Sequence, residues 1–244
     1  MVETTLLMTR PRVSGERFVA DLPAVLRERL TVCHSPLLRI VPIAEQIDLD
    51  DARGLIFTSA NGVAIAADVT DRRNLPCYCV GAWTTQTARK LGWQARMVGE
   101  DAAELIATLR ANPPQGPLLH LRGRHGSGDI AGELAPVGCS VVVQVIYEQE
   151  VLPLTDAAQA TLNGPGQVIV PLFSPRTAQQ FARVAQIGAE VHAVAISEAA
   201  ARPLRDLPLK RLIVASRPTA AALADGVEIL ANQASRVEGG PSAK

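Results

Sequence analysis

Aromatic residues are scarce in this chain: phenylalanine, tyrosine and tryptophan make up 3% of 244 residues, too few for a base-stacking surface. Net charge is absent as well. The 24 basic residues balance 24 acidic ones, which excludes bulk attraction to nucleic acid or to an acidic membrane. No apolar run approaches the ~18 residues of a membrane span. Met1-Val2-Glu3 passes into the apolar run at Leu6 without the basic segment, long apolar core and cleavage site of a signal peptide, so a soluble cytoplasmic protein is expected. Cys33, Cys77, Cys79 and Cys139 include no Cys-x-x-Cys pair and no Cys/His cluster of zinc-site spacing. Cys77 and Cys79 alternate along an expected strand and read as buried thiols.

Catalytic signatures are missing too. Gly123-Arg124-His125-Gly126-Ser127-Gly128-Asp129 lacks the terminal Lys-Ser/Thr of a Walker motif and the dinucleotide glycine spacing, and reads as a surface turn. There is no Gly-x-Ser-x-Gly elbow and no metal-binding His pair on a helix. His34, His120, His125 and His192 are scattered and read as surface or second-layer residues rather than general bases. No metal or cofactor is expected.

What is present is a duplication. Leu6-Leu7-Met8-Thr9-Arg10-Pro11-Arg12, running on to Asp21-Leu22, is echoed by Leu118-Leu119-His120-Leu121-Arg122-Gly123-Arg124, running on to Glu133-Leu134. Leu55 to Val63, with Thr58-Ser59-Ala60-Asn61 at its centre, is echoed by Ile169 to Thr177, with Phe173-Ser174-Pro175-Arg176. Cys79 to Ala88 matches Ala195 to Ala201, and Val98 to Leu105 matches Ala215 to Leu223. Four units recur in the same order. With 48% hydrophobic residues the chain can bury one large core or two small ones, and the repeat favours two lobes with a cleft between them.

Short Val, Ile and Leu runs at 6–8, 55–57, 77–80, 118–121, 168–172, 191–196 and 212–214 are each followed by a polar turn and an Ala/Leu-rich helical segment. This alternation predicts parallel sheets covered by helices on both faces. Ser35 to Ile43 and Val141 to Gln149 break the rhythm and read as two extended strands crossing between the lobes. The tail at 239–244 is expected to be disordered.

The recurring strand, Thr/Ser/Gly turn and helix place free N–H groups and hydroxyls at the carboxyl ends of parallel strands, where ligands bind. Such turns, with arginines beside them, suit carboxylates or phosphates. Taken singly, Ser59, Ser174 and Ser197 read as helix N-caps. Caps alone do not account for hydroxyl-bearing turns recurring in both halves.

The ordered set Thr9-Arg10-Pro11, Phe57 to Val63, Val80-Gly81 with Thr84, Leu121-Arg122-Gly123, Val145-Ile146-Tyr147-Glu148 and Phe173-Ser174-Pro175 resembles the uroporphyrinogen-III synthase family of tetrapyrrole biosynthesis, over nearly the whole chain. The resemblance implies two similar parallel-sheet α/β lobes of Rossmann or flavodoxin-like kind. One would be assembled from 1–34 plus 153–238 and the other continuous over 50–140, with 35–49 and 141–152 pairing as a two-stranded β bridge. It implies a monomeric lyase that cyclises hydroxymethylbilane to uroporphyrinogen III, with inversion of ring D and loss of water. Cofactors would be none, and contact with hydroxymethylbilane synthase would be transient.

On this resemblance Tyr147 is the candidate to assist departure of the hydroxyl, against the alternative of a structural tyrosine on an exposed bridge. Thr9, Arg10, Ser59, Asn61, Thr84, Arg122, Ser174 and Ser197 are the candidates for substrate carboxylates, with Arg12, Arg39, Arg124 and Arg176 less favoured. One departure stands out: where the family commonly has a Gly-Pro-Thr-Thr type turn, this chain has Ser197-Glu198-Ala199-Ala200, and Glu198 would repel a carboxylate if it faced the cleft. That keeps a second function class open, a non-catalytic two-lobed sensor of a polycarboxylate metabolite.

Overall fold

The computed structural model describes residues 4–126 and 128–237; the tail at 239–244 lies outside the described residues. Eleven strands run β1 (Thr4–Met8), β2 (Leu30–His34), β3 (Leu38–Pro42), β4 (Gly54–Phe57), β5 (Pro76–Val80), β6 (Gln94–Gly99), β7 (Leu118–Gly123), β8 (Val141–Val151), β9 (Gln167–Leu172), β10 (Glu190–Ala195) and β11 (Arg211–Val214). They form two sheets, of order β11-β10-β9-β1-β2 and β3-β8-β7-β4-β5-β6. The chain divides into two compact units, one made of the residues up to Arg39 and from Val151 onward, the other of Ile40–Glu150.

In the first unit every neighbouring strand pair is parallel, and β1 lies between β2 and β9, with Thr4 opposite both Leu30 and Gln167. Side chains alternate across the sheet, as the period of two requires. Leu7, Val168, Val170, Leu172, Val191 and Ala193 enter one core with Phe181. Leu6, Met8, Ile169 and Val194 enter the other with Phe18, Leu223 and Val227. Burial on both faces is the reason these strands read as unbroken apolar runs.

The second unit repeats the plan. Pairs β4·β5, β4·β7, β5·β6 and β7·β8 are parallel. Leu55, Phe57, Leu119, Leu121 and Tyr147 share one core with Val63 and Ala66 of helix Ala60–Val69. Ile56, Tyr78 and Leu118 share the opposite core with Leu105, Leu109, Ile130 and Leu134. Cys77, Cys79 and Cys139 are buried and unbridged, and burial pushes the Cys79 thiol up to about 11.

Helix starts follow local chemistry. Ser59 accepts from the Asn61 N–H at 3.2 Å, and Ser174 accepts from the Thr177 N–H at 3.1 Å, with Pro175 in the first helical position, where a missing N–H costs nothing. Asp101 accepts from Glu104 N–H at 2.9 Å and the Glu104 carboxylate accepts from Glu100 N–H at 2.8 Å, two bonds that tie down the chain where helix Ala102–Ala111 opens. Gly81, at φ +75°, turns β5 into helix Ala82–Lys90 through the left-handed region that favours glycine.

Candidate functional site

The carboxyl ends of the central strands gather the residues singled out from sequence. In the first unit the neighbours β1, β9 and β10 end at Thr9-Arg10, at Phe173-Ser174 and at Ile196-Ser197. In the second unit β7, β4 and β5 end at Arg122-Gly123, at Thr58-Ser59 and at Gly81, and Tyr147 lies on β8 beside β7. Each sheet therefore presents one arginine turn and two Ser/Thr/Gly turns side by side.

Ser59, Ser174 and Ser197 are all helix N-caps in extended backbone geometry. Beyond the cap, the Ser174 hydroxyl shares a hydrogen bond with the Thr177 hydroxyl at 2.9 Å and the Ser59 hydroxyl meets the Tyr147 phenol, so uncapped N–H groups of these turns remain for a ligand oxygen. Ser197 caps Ala200 N–H at 3.4 Å, at the start of a helix of only four residues, Glu198–Ala201. The carboxylate of Glu198 is ion-paired with Arg205, which offsets the repulsion expected from its sequence position. Asn61 is half-buried in the first turn after Ser59, whereas Thr84 is buried in the first turn after Gly81. The hydroxyl of its neighbour Thr85 donates to Gly81 O at 2.9 Å.

Arg10 is held by a feature the sequence reading missed. Its guanidinium lies 4.0 Å from the centroid of the Phe173 ring, and Phe173 in turn meets Phe18 edge-on at 4.8 Å. Burial, and secondarily the charge of Arg17, pull the Arg10 pKa down to about 10, so it stays cationic at neutral pH. Thr9 is fully buried behind it, and its Oγ1 has no hydrogen-bond partner among the described residues. Phe173 stands immediately before the capping Ser174, and that adjacency was the available signal. Of the arginines less favoured at the outset, Arg12 pairs with Glu16 at 2.8 Å and Arg124 with Glu148.

Tyr147 is not exposed: only 4% of it reaches solvent. Its phenol is hydrogen-bonded with the Ser59 side chain and the Gly123 backbone, and burial, opposed by those bonds and by Arg122, raises its pKa above the ordinary tyrosine value. The ring passes directly over Gly123, where a built Cβ would stand 2.6 Å from the ring Cζ; only glycine allows that approach. Arg122 donates from Nε to Gly123 O at 3.1 Å. Two of the scattered histidines, His120 and His192, are buried rather than on the surface.

A hollow of about 580 Å³ elsewhere in the second unit is lined by Asp101, Ile106, Arg110, Asp129 and Glu133. Asp101 and Asp129 cap helices and Glu133 pairs with Arg110 at 2.9 Å, so its acidic wall is unsuited to a carboxylate ligand. Among the described residues no three His, Cys, Asp or Glu side chains form a metal-binding group, and no helix is long and apolar enough to cross a membrane.

Comparison with known proteins meets this geometry. The family model described as uroporphyrinogen-III synthase HemD matches residues 24–225. The solved structure of uroporphyrinogen-III synthetase from Helicobacter pylori 26695 is similar with a TM-score of 0.63 at 17% identity, covering 94% of this chain and 100% of that one. A mutant uroporphyrinogen III synthase from the extremely thermophilic bacterium Thermus thermophilus is similar with a TM-score of 0.52 at 16% identity, covering 94% and 99%. At such identity the two structures speak for the fold. No curated protein sequence matches.

Proposed function

The chain belongs to the uroporphyrinogen-III synthase family, an enzyme family of haem biosynthesis, and on that premise we propose how its residues divide the work. The substrate is hydroxymethylbilane, whose acetate and propionate arms are carboxylates. Arg10 and Arg122 grip arms by charge-assisted hydrogen bonds, and the turns at Ser59-Asn61, Gly81-Thr84, Ser174 and Ser197 receive others through hydroxyls and N–H groups. The observation that carries this reading is the repetition, at the carboxyl ends of both sheets, of one arginine turn beside two hydroxyl-bearing turns. Since Thr9 is fully buried, Arg10 and the backbone of that turn make the contact, and Thr9 supports them.

Tyr147 supplies the acid. Its raised pKa keeps the phenol protonated, so it can give its proton to the departing hydroxyl, which leaves as water. The azafulvene cation that remains is attacked by the substituted carbon of ring D. The spiro intermediate reopens and closes with that ring inverted, and the proton released on rearomatisation returns to the phenolate. The net change is loss of one water, the reaction of a lyase. Most of the catalysis is orientation, because the ionisation proceeds spontaneously and the enzyme decides which carbon is attacked. The proposal includes a monomeric, cytoplasmic enzyme that takes its substrate by transient contact with hydroxymethylbilane synthase.

The test is to supply purified protein with hydroxymethylbilane, oxidise the products and separate the isomers. Uroporphyrin III is expected; uroporphyrin I alone, at the spontaneous rate, overturns the reading and leaves a carboxylate sensor.

A further inference from the structure

His120 is 3% exposed in the middle of β7, where its neighbours Leu118, Leu119 and Leu121 are leucines. Burying an imidazole there costs desolvation that a fourth leucine would not, so its hydrogen bond has to compensate. Nε2 of His120 lies 3.4 Å from Oγ1 of Thr58. His120 stands opposite Ile56 in the β4·β7 register, and Thr58 follows Ile56 by two residues, so the contact belongs to the Ile56 face of the sheet. Tyr147 packs on the other face, with Phe57 and Leu121, and is hydrogen-bonded with Ser59. The turn from Thr58 to Asn61 is thus tied from both sides, Thr58 to a histidine on one face and Ser59 to the phenol on the other.

We propose that His120 is a positioning residue for the cyclisation: by holding Thr58 it fixes the turn whose Ser59 hydroxyl sets the phenol of Tyr147. It touches no substrate and transfers no proton. The inference rests on the reading that Tyr147 and the Thr58 to Asn61 turn serve this reaction.

Burial, and then the charge of Arg122, pull the His120 pKa down to about 4, so the ring is neutral wherever the enzyme is assayed and the tie does not switch with pH. A loosened turn lets the phenol drift and lets ring D close without inversion, so the isomer ratio reports the tie as well as the rate does. A side chain that only filled the core would move neither in a folded variant.

The experiment compares His120→Leu, His120→Gln, Thr58→Val and the double variant His120→Leu/Thr58→Val, with thermal melts to establish folding. His120→Leu is expected to lower kcat about tenfold, well inside the penalty of a 1 Å misplacement, and to raise the type I share at nearly constant KM. His120→Gln, whose amide reaches the Nε2 position, should restore most of both. The double variant should be no worse than either single one, because both remove the same tie. Folded His120→Leu with wild-type kcat and isomer ratio overturns the proposal, and so does an additive double variant. If His120→Leu does not fold, Thr58→Val alone decides by the same two readouts. Failure of the wild type to make the type III isomer would instead sink the function itself.

Discussion

Replacing Tyr147 by phenylalanine removes one oxygen and leaves the ring in place over Gly123 and against Gly62, whose built Cβ lies 3.7 Å from the ring. The stability cost is bounded by the structure. Two hydrogen bonds are lost, to Ser59 and to the Gly123 backbone, though Ser59 still accepts from Asn61 N–H at 3.2 Å and is not orphaned. That places the cost at about 1–3 kcal/mol, with a shift of roughly 2–4 °C in Tm per kcal/mol for a chain of this size. The catalytic cost is separate. Removing a general acid lowers turnover by about 10²–10⁴, and spontaneous ionisation of the substrate puts this case at the lower end. The expected result is a fall in kcat of about 10² with little change in KM, the sign of an interaction made in the transition state. Burial raises the Tyr147 pKa, so the phenol keeps its proton through and beyond the ordinary tyrosine range. The wild-type rate should therefore show no alkaline limb from this group below ~10. Product isomers separated after timed incubation give the rate and the outcome together. A folded Tyr147→Phe enzyme with unchanged kcat refutes the acid role and leaves Tyr147 as a packing residue.

Three further outcomes are expected. The His120 pKa falls from 6.5 to about 4 in the folded chain, so the unfolded chain takes the proton first as pH drops. Stability held above pH 6.5 is then withdrawn down to pH 4, by roughly 3 kcal/mol at 1.36 kcal/mol per unit. Unfolding free energies from urea titrations between pH 7 and 4 should fall less, by that amount, for His120→Gln, and an identical fall would contradict the assignment. Gly123→Ala drives a methyl into the Tyr147 ring, 2.6 Å from Cζ, and should cost about 1–3 kcal/mol by urea unfolding; wild-type stability would mean that the ring moves aside freely. Arg10→Lys keeps the charge but loses the stack at 4.0 Å on Phe173, worth about 0.5–2 kcal/mol. It should raise KM with kcat nearly intact, as should Phe173→Leu; unchanged KM in both removes Arg10 from the binding set.

The strands found by their apolar runs lie mostly in the sheet interiors, buried on both faces, as Leu6 to Met8 and Val168 to Leu172 are. The two that escaped, β2 and β6, are edge strands. With one side open to solvent they mix Thr31, His34, Gln94 and Arg96 among their apolar residues, and a run-based reading passes over them. The capping serines were legible because a cap is a local pattern. The contacts that define the site were not, since Tyr147 with Ser59 and His120 with Thr58 join residues far apart in sequence. His120 in particular looks like any scattered histidine until the β4·β7 register sets it beside Ile56. The Arg10 stack on Phe173 spans the same kind of distance.

The placement of β1 beside β9 also governs the order of events at the ribosome. Ile40–Glu150 is one uninterrupted stretch and has all its strands as soon as Glu150 is made. The first unit must wait, because Thr4 and its partner Gln167 are 163 residues apart. At about 5–20 residues per second, that is roughly 8 to 30 s during which β1 has no β9 to pair with. Leu6, Leu7 and Met8, all fully buried in the finished fold, are the residues left uncovered in that interval. Strand β1 is thus left open to misassociation for a time set by translation rather than by folding.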